Sequence, residues 1–342
     1  MMSGSLAQAR LWIGTIAASL CVAIAPALAQ DCCPKELVDA ATKEGKVVIY
    51  SGLLLESEQI FADAFMKRFP GVRVDIVRAP GGRLFTRIQS EAAANKLGAD
   101  IIDMTDRGLA KQMEPLYADY APPNAKDYDR THAASPKFWP RAVQVYAISY
   151  NPALLSNPPT SWADLLKPEY KGKIGRVVAG SGGTTWTENM FQRKTFGLDY
   201  WKGFAAQQPR LFESNGPLAT ALVRGEVQVA TLLVNAALPM ERDGAPIKIV
   251  YPTEGLPITP ESAGITKTAP NPNAAKLFMD YSMSLEGQNV MVDKLGFLSL
   301  LKGANSPKGM PAGAKTWLPD GDEYEKLRDG WIAEWNTTFN YR

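Results

Sequence analysis

What most constrains this chain is an alternation: short apolar runs end in glycine or small polar residues, and each is followed by a segment of helical periodicity. Val47-Val48-Ile49-Tyr50 stops at Ser51-Gly52, and Ser57 to Phe69 then sets Ile60, Phe61, Ala64, Phe65 and Phe69 on one helical face before Pro70-Gly71 ends it. The run Val72 to Val77 follows. A second unit repeats the form: Gly81-Gly82 opens a helix from Arg83 to Asn95 with Leu84, Ile88 and Ala92 inward, Gly98 breaks it, and a strand runs from Ala99 to Met104. Strands that are apolar on both faces need helices above and below, so these units predict an α/β fold built on parallel sheet. Ligands of such sheets bind beyond the carboxyl ends of the strands, which gathers Ser51, Gly52, Gly82, Asp103, Thr105 and Asp106 at one edge.

The second half of the chain carries a similar signal. Ile174 to Val178 is an apolar run, Ala179-Gly180-Ser181-Gly182-Gly183-Thr184-Thr185 is a glycine-rich loop, and a helical segment begins at once. Two readings stand. The glycines permit close backbone approach, and the hydroxyls of Ser181, Thr184 and Thr185 together with free N–H groups at a helix start suit a small anion. Equally, the loop is a flexible turn with Thr184 or Thr185 as N-cap. No Gly-Lys-Ser/Thr follows and no G-x-G-x-x-G is present, so neither a P-loop nor a dinucleotide fingerprint applies. Helices are expected at Leu198 to Ala206 and, opened by Asn215-Gly216-Pro217, at Leu218 to Arg224, with a strand from Val227 to Val234. Asn215 and Asn235 then join Ser181 to Thr184 at one edge. Between the halves, Tyr117 to Pro140 reads as a surface passage and Ala142 to Tyr150, with Tyr146, as a crossing strand. Ser262 to Thr266 crosses back, and helices close the chain at Pro272 to Ser284 and Leu318 to Asn336.

Composition narrows the function classes. Residues 1–29 carry one charge, Arg10, then an apolar run ending in Ala27-Leu28-Ala29, which is the pattern of a cleaved secretory signal peptide with the mature protein starting at Gln30. No later run is long and apolar enough to span a membrane, so no stable membrane insertion is expected. Without Arg10 the basic residues lead the 35 acidic ones by a single charge, which offers no face for nucleic acid or lipid. Adjacent Cys32 and Cys33 are expected in a loose terminus, and a monomer whose fold does not depend on disulfides is the consequence. Roughly 310 residues remain, more than one core usually serves, so two lobes are expected. The only histidine, His132, falls in the surface passage, and no G-x-S-x-G, H-E-x-x-H or Cys-x-x-Cys is present; neither catalysis nor a cofactor is expected.

The stretches Val48-Ile49-Tyr50-Ser51-Gly52, Ala99-Asp100-Ile101-Ile102, Pro159 to Ile174, Gly225-Glu226-Val227 and Ala269 to Phe278, followed by Ser284-Leu285-Glu286-Gly287-Gln288, resemble periplasmic solute-binding proteins of ABC transporters, in the branch that includes ferric-ion-binding proteins. The resemblance implies a two-lobed type II periplasmic-binding fold, with 30–142 and about 258–300 in the first lobe and 143–257 and about 301–342 in the second. It further implies a small-molecule ligand in the interlobe cleft and delivery to an inner-membrane permease. Ferric members place adjacent tyrosines just after the Gly-Glu-Val strand, where this chain has Val234-Asn235-Ala236-Ala237, so the resemblance argues against iron. Ser181, Gly182, Gly183 and Asn215 fall on the side of the site where ferric members hold a synergistic anion. The ligand expected is therefore an organic anion or zwitterion bearing a phosphoryl, phosphonyl or carboxylate group, with Asp103 and Asp106 either paired with Arg83, Arg87 or Arg107 or facing a ligand ammonium. A ferric-iron carrier and a ligand-presenting subunit for a sensor kinase or chemoreceptor are the alternatives.

Overall fold

In the computed structural model the opening alternation becomes α1 (Lys35–Glu44), β1 (Lys46–Ser51), α2 (Leu55–Arg68), β2 (Arg73–Arg78), α3 (Gly81–Ala93), β3 (Ile101–Met104) and α4 (Arg107–Gln112). The structure describes Met1, residues 32–130 and residues 133–342; the expected leader and its cleavage before Gln30, and likewise His132, lie outside the described residues. The first crossing strand, β4 (Val143–Tyr150), enters a second sheet. There the chain forms β5 (Ile174–Val177), α5 (Gly183–Phe196), α6 (Leu198–Ala206), β6 (Arg210–Phe212), α7 (Asn215–Val223), β7 (Val229–Leu233), α8 (Val234–Arg242), β8 (Lys248–Val250) and β9 (Leu256–Pro260). It returns through β10 (Ser262–Ile265), α9 (Pro272–Met283) and α10 (Leu285–Leu295), and ends with β11 (Thr316–Trp317) and α11 (Gly321–Thr338).

The first sheet has the order β10-β3-β1-β2, parallel except for β10, and the second β11-β9-β4-β7-β5-β6 with β8 paired to β4. Each sheet has its own core. Phe61 and Phe65 of α2, with Phe69 just past its end, meet Phe278 and Tyr281 of α9 in edge and tilted ring contacts, whereas Trp162, Trp201, Phe204 and Trp335 fill the second. The two sheets are joined where two extended segments run side by side: Trp139 exchanges backbone bonds with Ala263, and the Glu261 N–H donates to the Ala142 carbonyl at 2.9 Å.

Three expectations change. Cys32 and Cys33 form a vicinal disulfide, and Cys33 is buried in the first core, so this is not a loose end. The passage before β4 is not merely surface, because Tyr117, Tyr128, Phe138 and Trp139 are buried anchors. The stretch Thr160-Ser161-Trp162-Ala163-Asp164, with Asp164 three residues beyond Ser161, has the form of a capping-box helix start, and the exchange is made: Asp164 Oδ2 accepts from the Ser161 N–H while Ser161 Oγ accepts from the Asp164 N–H. Yet it opens only a 3-10 turn, Ala163–Leu166, since Pro168 bars the preceding residue from helical geometry.

Candidate functional site

Six strands, β1 to β3 and β5 to β7, hand over to helices at their carboxyl ends, and the handover loops face one another between the sheets. They enclose a pocket of about 70 Å³ lined by Gly52, Leu54, Arg78, Pro80, Gly81 and Thr105 from the first lobe, Gln144 from β4, and Ser181, Gly182, Thr184, Thr185, Glu213, Ser214, Asn215 and Leu233 from the second. At roughly 10–15 Å³ for each water position, this is room for about five to seven waters, the size of a small solute in a closed cleft.

The helix starts determine its electrostatics. Leu54, Pro80, Gly182, Ser214 and Leu233, the residues that precede α2, α3, α5, α7 and α8, all line the pocket, and none of them caps its helix with a side chain. Five sets of unpaired N–H groups therefore bring partial positive charge to one small volume. Arg78 adds a full charge: it is exposed at the rim, its Nε donates to the Leu53 carbonyl at 3.0 Å, and no carboxylate among the described residues makes an ion pair with it, although Glu56 acts on it through space. The one lining carboxylate, Glu213, accepts a bond from Tyr341 at 2.8 Å. Arg78 was not singled out from the sequence; its position at the carboxyl end of an apolar strand was the available signal.

Of the residues expected at the site, Gly52, Thr105, Ser181, Gly182, Thr184 and Asn215 line the pocket. The others do not. Ser51 is buried and donates to Glu58 at 2.5 Å. Gly82 gives way to its neighbour Gly81. Asn235 begins α8 and reaches Ser57 of α2 at 3.4 Å, a bond between the lobes. Tyr146 lies behind Asn215 and shares bonds of 3.0 and 3.2 Å with its amide; burial pushes the phenol well above its usual value, so it is a neutral partner. Gly183 is a contact between lobes: a Cβ there would overlap the Thr105 carbonyl and stand 2.6 Å from the Asp106 Cα. Gly182, by contrast, is extended and has open space around it.

The aspartates are neither solvated nor paired as expected. Asp103 is buried against Arg141, and Asp106 caps α4 through bonds from the Gly108 and Leu109 N–H groups while pairing at 3.0 Å with Arg328 of α11. Arg87 is occupied by Glu91 at 2.7 Å. Two donors are also spent locally: Ser181 Oγ donates to the Glu213 carbonyl at 2.6 Å, and the Gly182 N–H donates to Thr185 Oγ1 at 3.0 Å. The serine hydroxyl is thus not a free donor, and the residues of α5 beyond Gly182 that line the pocket are Thr184 and Thr185.

Two α/β lobes whose strand ends face each other across a pocket are the type II periplasmic-binding fold. The chain belongs to the bacterial extracellular solute-binding protein family, which it matches over residues 99–326. A putative 2-aminoethylphosphonate-binding periplasmic protein of Salmonella typhimurium is 25% identical over 300 residues, 81% of this chain and 86% of its own length. A probable ABC transporter periplasmic-binding protein of Sinorhizobium fredii is 26% identical over 290 residues, 77% and 78% of the two chains. Among solved structures, AfuA from Actinobacillus pleuropneumoniae with exogenous fructose-6-phosphate bound superposes with a TM-score of 0.68 at 24% identity, covering 87% of this chain and all of that one. Iron-bound HitA from Pseudomonas aeruginosa gives 0.66 at 20% identity, with 86% and 98% covered.

Proposed function

We propose that this protein is the periplasmic solute-binding component of an ABC importer and that it captures a small organic anion, a phosphonate, sugar phosphate or carboxylate, for delivery to an inner-membrane permease. The observation that carries the ligand class is the meeting of five uncapped helix starts and Arg78 around one pocket whose only carboxylate is already bonded. The engaged state of Asp103 and Asp106 removes the repulsion that would otherwise demand a zwitterion. The donor chemistry favours an oxyanion over ferric ion, because the described residues that line the pocket include no tyrosine and no histidine. The printed ligands of two similar proteins, an aminoethylphosphonate and a sugar phosphate, support the same class.

A thermal-shift screen of phosphonates, sugar phosphates, small carboxylates and ferric citrate tests this on wild type and Arg78→Gln. One of the organic anions should raise the melting midpoint of the wild type, and the variant should need a severalfold higher concentration for the same shift, because a charge-assisted bond is lost. Stabilisation by ferric citrate alone, with a visible charge-transfer band, would replace the anion reading with an iron carrier.

A further inference from the structure

Directly behind the pocket, where the two extended segments cross, lies a cluster of charges that does not line it. Arg141, fully buried, pairs through Nη2 with Glu58 of α2 and through Nε with Asp103 of β3. Glu261, on the return segment between β9 and β10, is also buried, lies within hydrogen-bonding reach of Asp103, and accepts from Gln144 Nε2 at 2.5 Å. Gln144 in turn lines the pocket.

The charges do not balance. Three buried carboxylates face one guanidinium, and among the described residues Glu58 Oε2, Asp103 Oδ1 and Glu261 Oε2 are all buried without a donor. Two carboxylate oxygens that approach one another are stable in a dry site only if a proton lies between them. Glu58 and Asp103 each hold a bond from Arg141, so Glu261 is the group left to carry it. The other groups facing this corner are Tyr117 near Asp103, and Arg107, Arg130 and Asp129 across a small cavity that Glu261 also lines. Burial and the Asp103 charge push Glu261 well above the ordinary carboxylate range.

We propose that Glu261 is a protonated acid at neutral pH, that it donates to Asp103 through one oxygen and accepts from Gln144 through the other, and that it thereby turns the Gln144 carbonyl into the pocket as an acceptor. This rests on the anion reading and deepens it: the solute carries, besides its oxyanion, a hydroxyl or amine that donates to Gln144. Glu213, the carboxylate among the described lining residues, is bonded to Tyr341 through one oxygen, and Gln144 adds a neutral amide oxygen as an acceptor that does not repel the anion. Glu261 is a positioning residue in this scheme, and Gln144 determines specificity.

The sign of the pH effect follows from the raised affinity of Glu261 for its proton. The folded protein holds a proton that the unfolded chain releases, so the contribution is complete below the ordinary glutamate range and disappears as pH rises through the folded-state titration. The test has two arms. In the first, infrared spectroscopy of the protein at pH 7 should show the carbonyl stretch of a protonated carboxylic acid, absent in Glu261→Gln, and the melting midpoint of the variant should lack the alkaline decline of the wild type. Identical spectra with parallel pH profiles would overturn the proton assignment. In the second, wild type and Gln144→Leu are titrated with glycerol 3-phosphate and n-propyl phosphate, which share the anion and differ in the hydroxyls. Wild type should prefer the glycerol ester about two- to tenfold, the worth of one hydrogen bond. Gln144→Leu should lose the preference, and Glu261→Gln, whose amide can still accept from Gln144, should keep it. Equal binding of the two esters to wild type would overturn the role of Gln144 while leaving the anion reading in place; binding of neither would overturn this proposal, and the screen of organic anions decides the anion reading separately.

Discussion

The two lobes each bury one arginine completely, and they compensate its charge in opposite ways. In the first, Arg141 meets two carboxylates, Glu58 and Asp103, and opposing charge holds it protonated despite burial. In the second, Arg176 of β5 has a single carboxylate, Glu188 of α5, at 3.8 Å; Asn189 and Gln192 accept from it at 2.6 and 3.3 Å, and the rings of Phe204, Phe339 and Trp335 surround it at 4.6 to 5.4 Å. Burial outweighs that one distant charge, lowering the proton affinity of Arg176 and raising that of Glu188. The difference teaches where each lobe needs its order. Arg141 joins α2, β3 and the crossing segment, three pieces far apart in sequence, so strong directional bonds do the joining. Arg176 instead supports one helix, α5, on an aromatic base that already packs without it.

Breaking the first cluster should therefore cost most. Arg141→Met leaves buried carboxylates without their cation, and chemical denaturation should show a loss of about 3–5 kcal/mol. A loss below 1 kcal/mol would mean that the carboxylates take up protons freely, and the contrast between the lobes would fail.

Gly183→Ala probes the place where the lobes meet. The added methyl confronts backbone atoms of Thr105 and Asp106 that no side-chain rotation relieves, so closure should cost about 1–3 kcal/mol and weaken solute affinity roughly 5- to 150-fold. Isothermal titration of the solute found by screening measures this, and far-ultraviolet circular dichroism should remain that of wild type. Gly182→Ala, in open space, should leave closure unchanged and serves as the control.

Arg176→Met sharpens the contrast from the other side. Its long apolar replacement keeps the packing under the rings, leaving Glu188 with the bond from Gln192 at 2.9 Å. Loss of the arginine should cost about 1–3 kcal/mol at neutral pH and less in acid, because protonated Glu188 no longer needs a counter-charge. A cost equal to that of Arg141→Met at every pH would erase the distinction.

The smallest effect belongs to Asp280 on α9, which accepts from Tyr120 at 2.5 Å and which burial pushes up to about 6. Because the folded protein binds this proton more tightly than the unfolded chain, stability should fall slightly as pH rises from about 4 to 6 and then level. Asp280→Asn should flatten that interval in a series of thermal melts; an unchanged slope would assign it to another acid of the first lobe.

The chain's own order was sufficient for the alternation of strands and helices, the parallel pairing of β1 with β2 and β3, and the gathering of the strand ends at one edge, since apolar runs and glycine stops are local signals. The loop at Gly182 was legible for the same reason, whereas the departure at Val234 to Ala237 was visible only through the resemblance to ferric-ion-binding proteins. What lay beyond reach was which polar atoms meet. Arg141 stands in a Pro- and Ala-rich stretch with no periodicity, yet it neutralises residues 38 and 83 positions away. Arg328 lies 222 positions from Asp106. The charge of a pocket depends on which acids are already paired, and pairing depends on distances through space that only the folded chain sets. The sequence therefore determined the edge at which the strand ends gather. Tertiary structure decided what faces it, because burial is what turns a carboxylate from a repelling charge into half of an ion pair, or into an acid that keeps its proton.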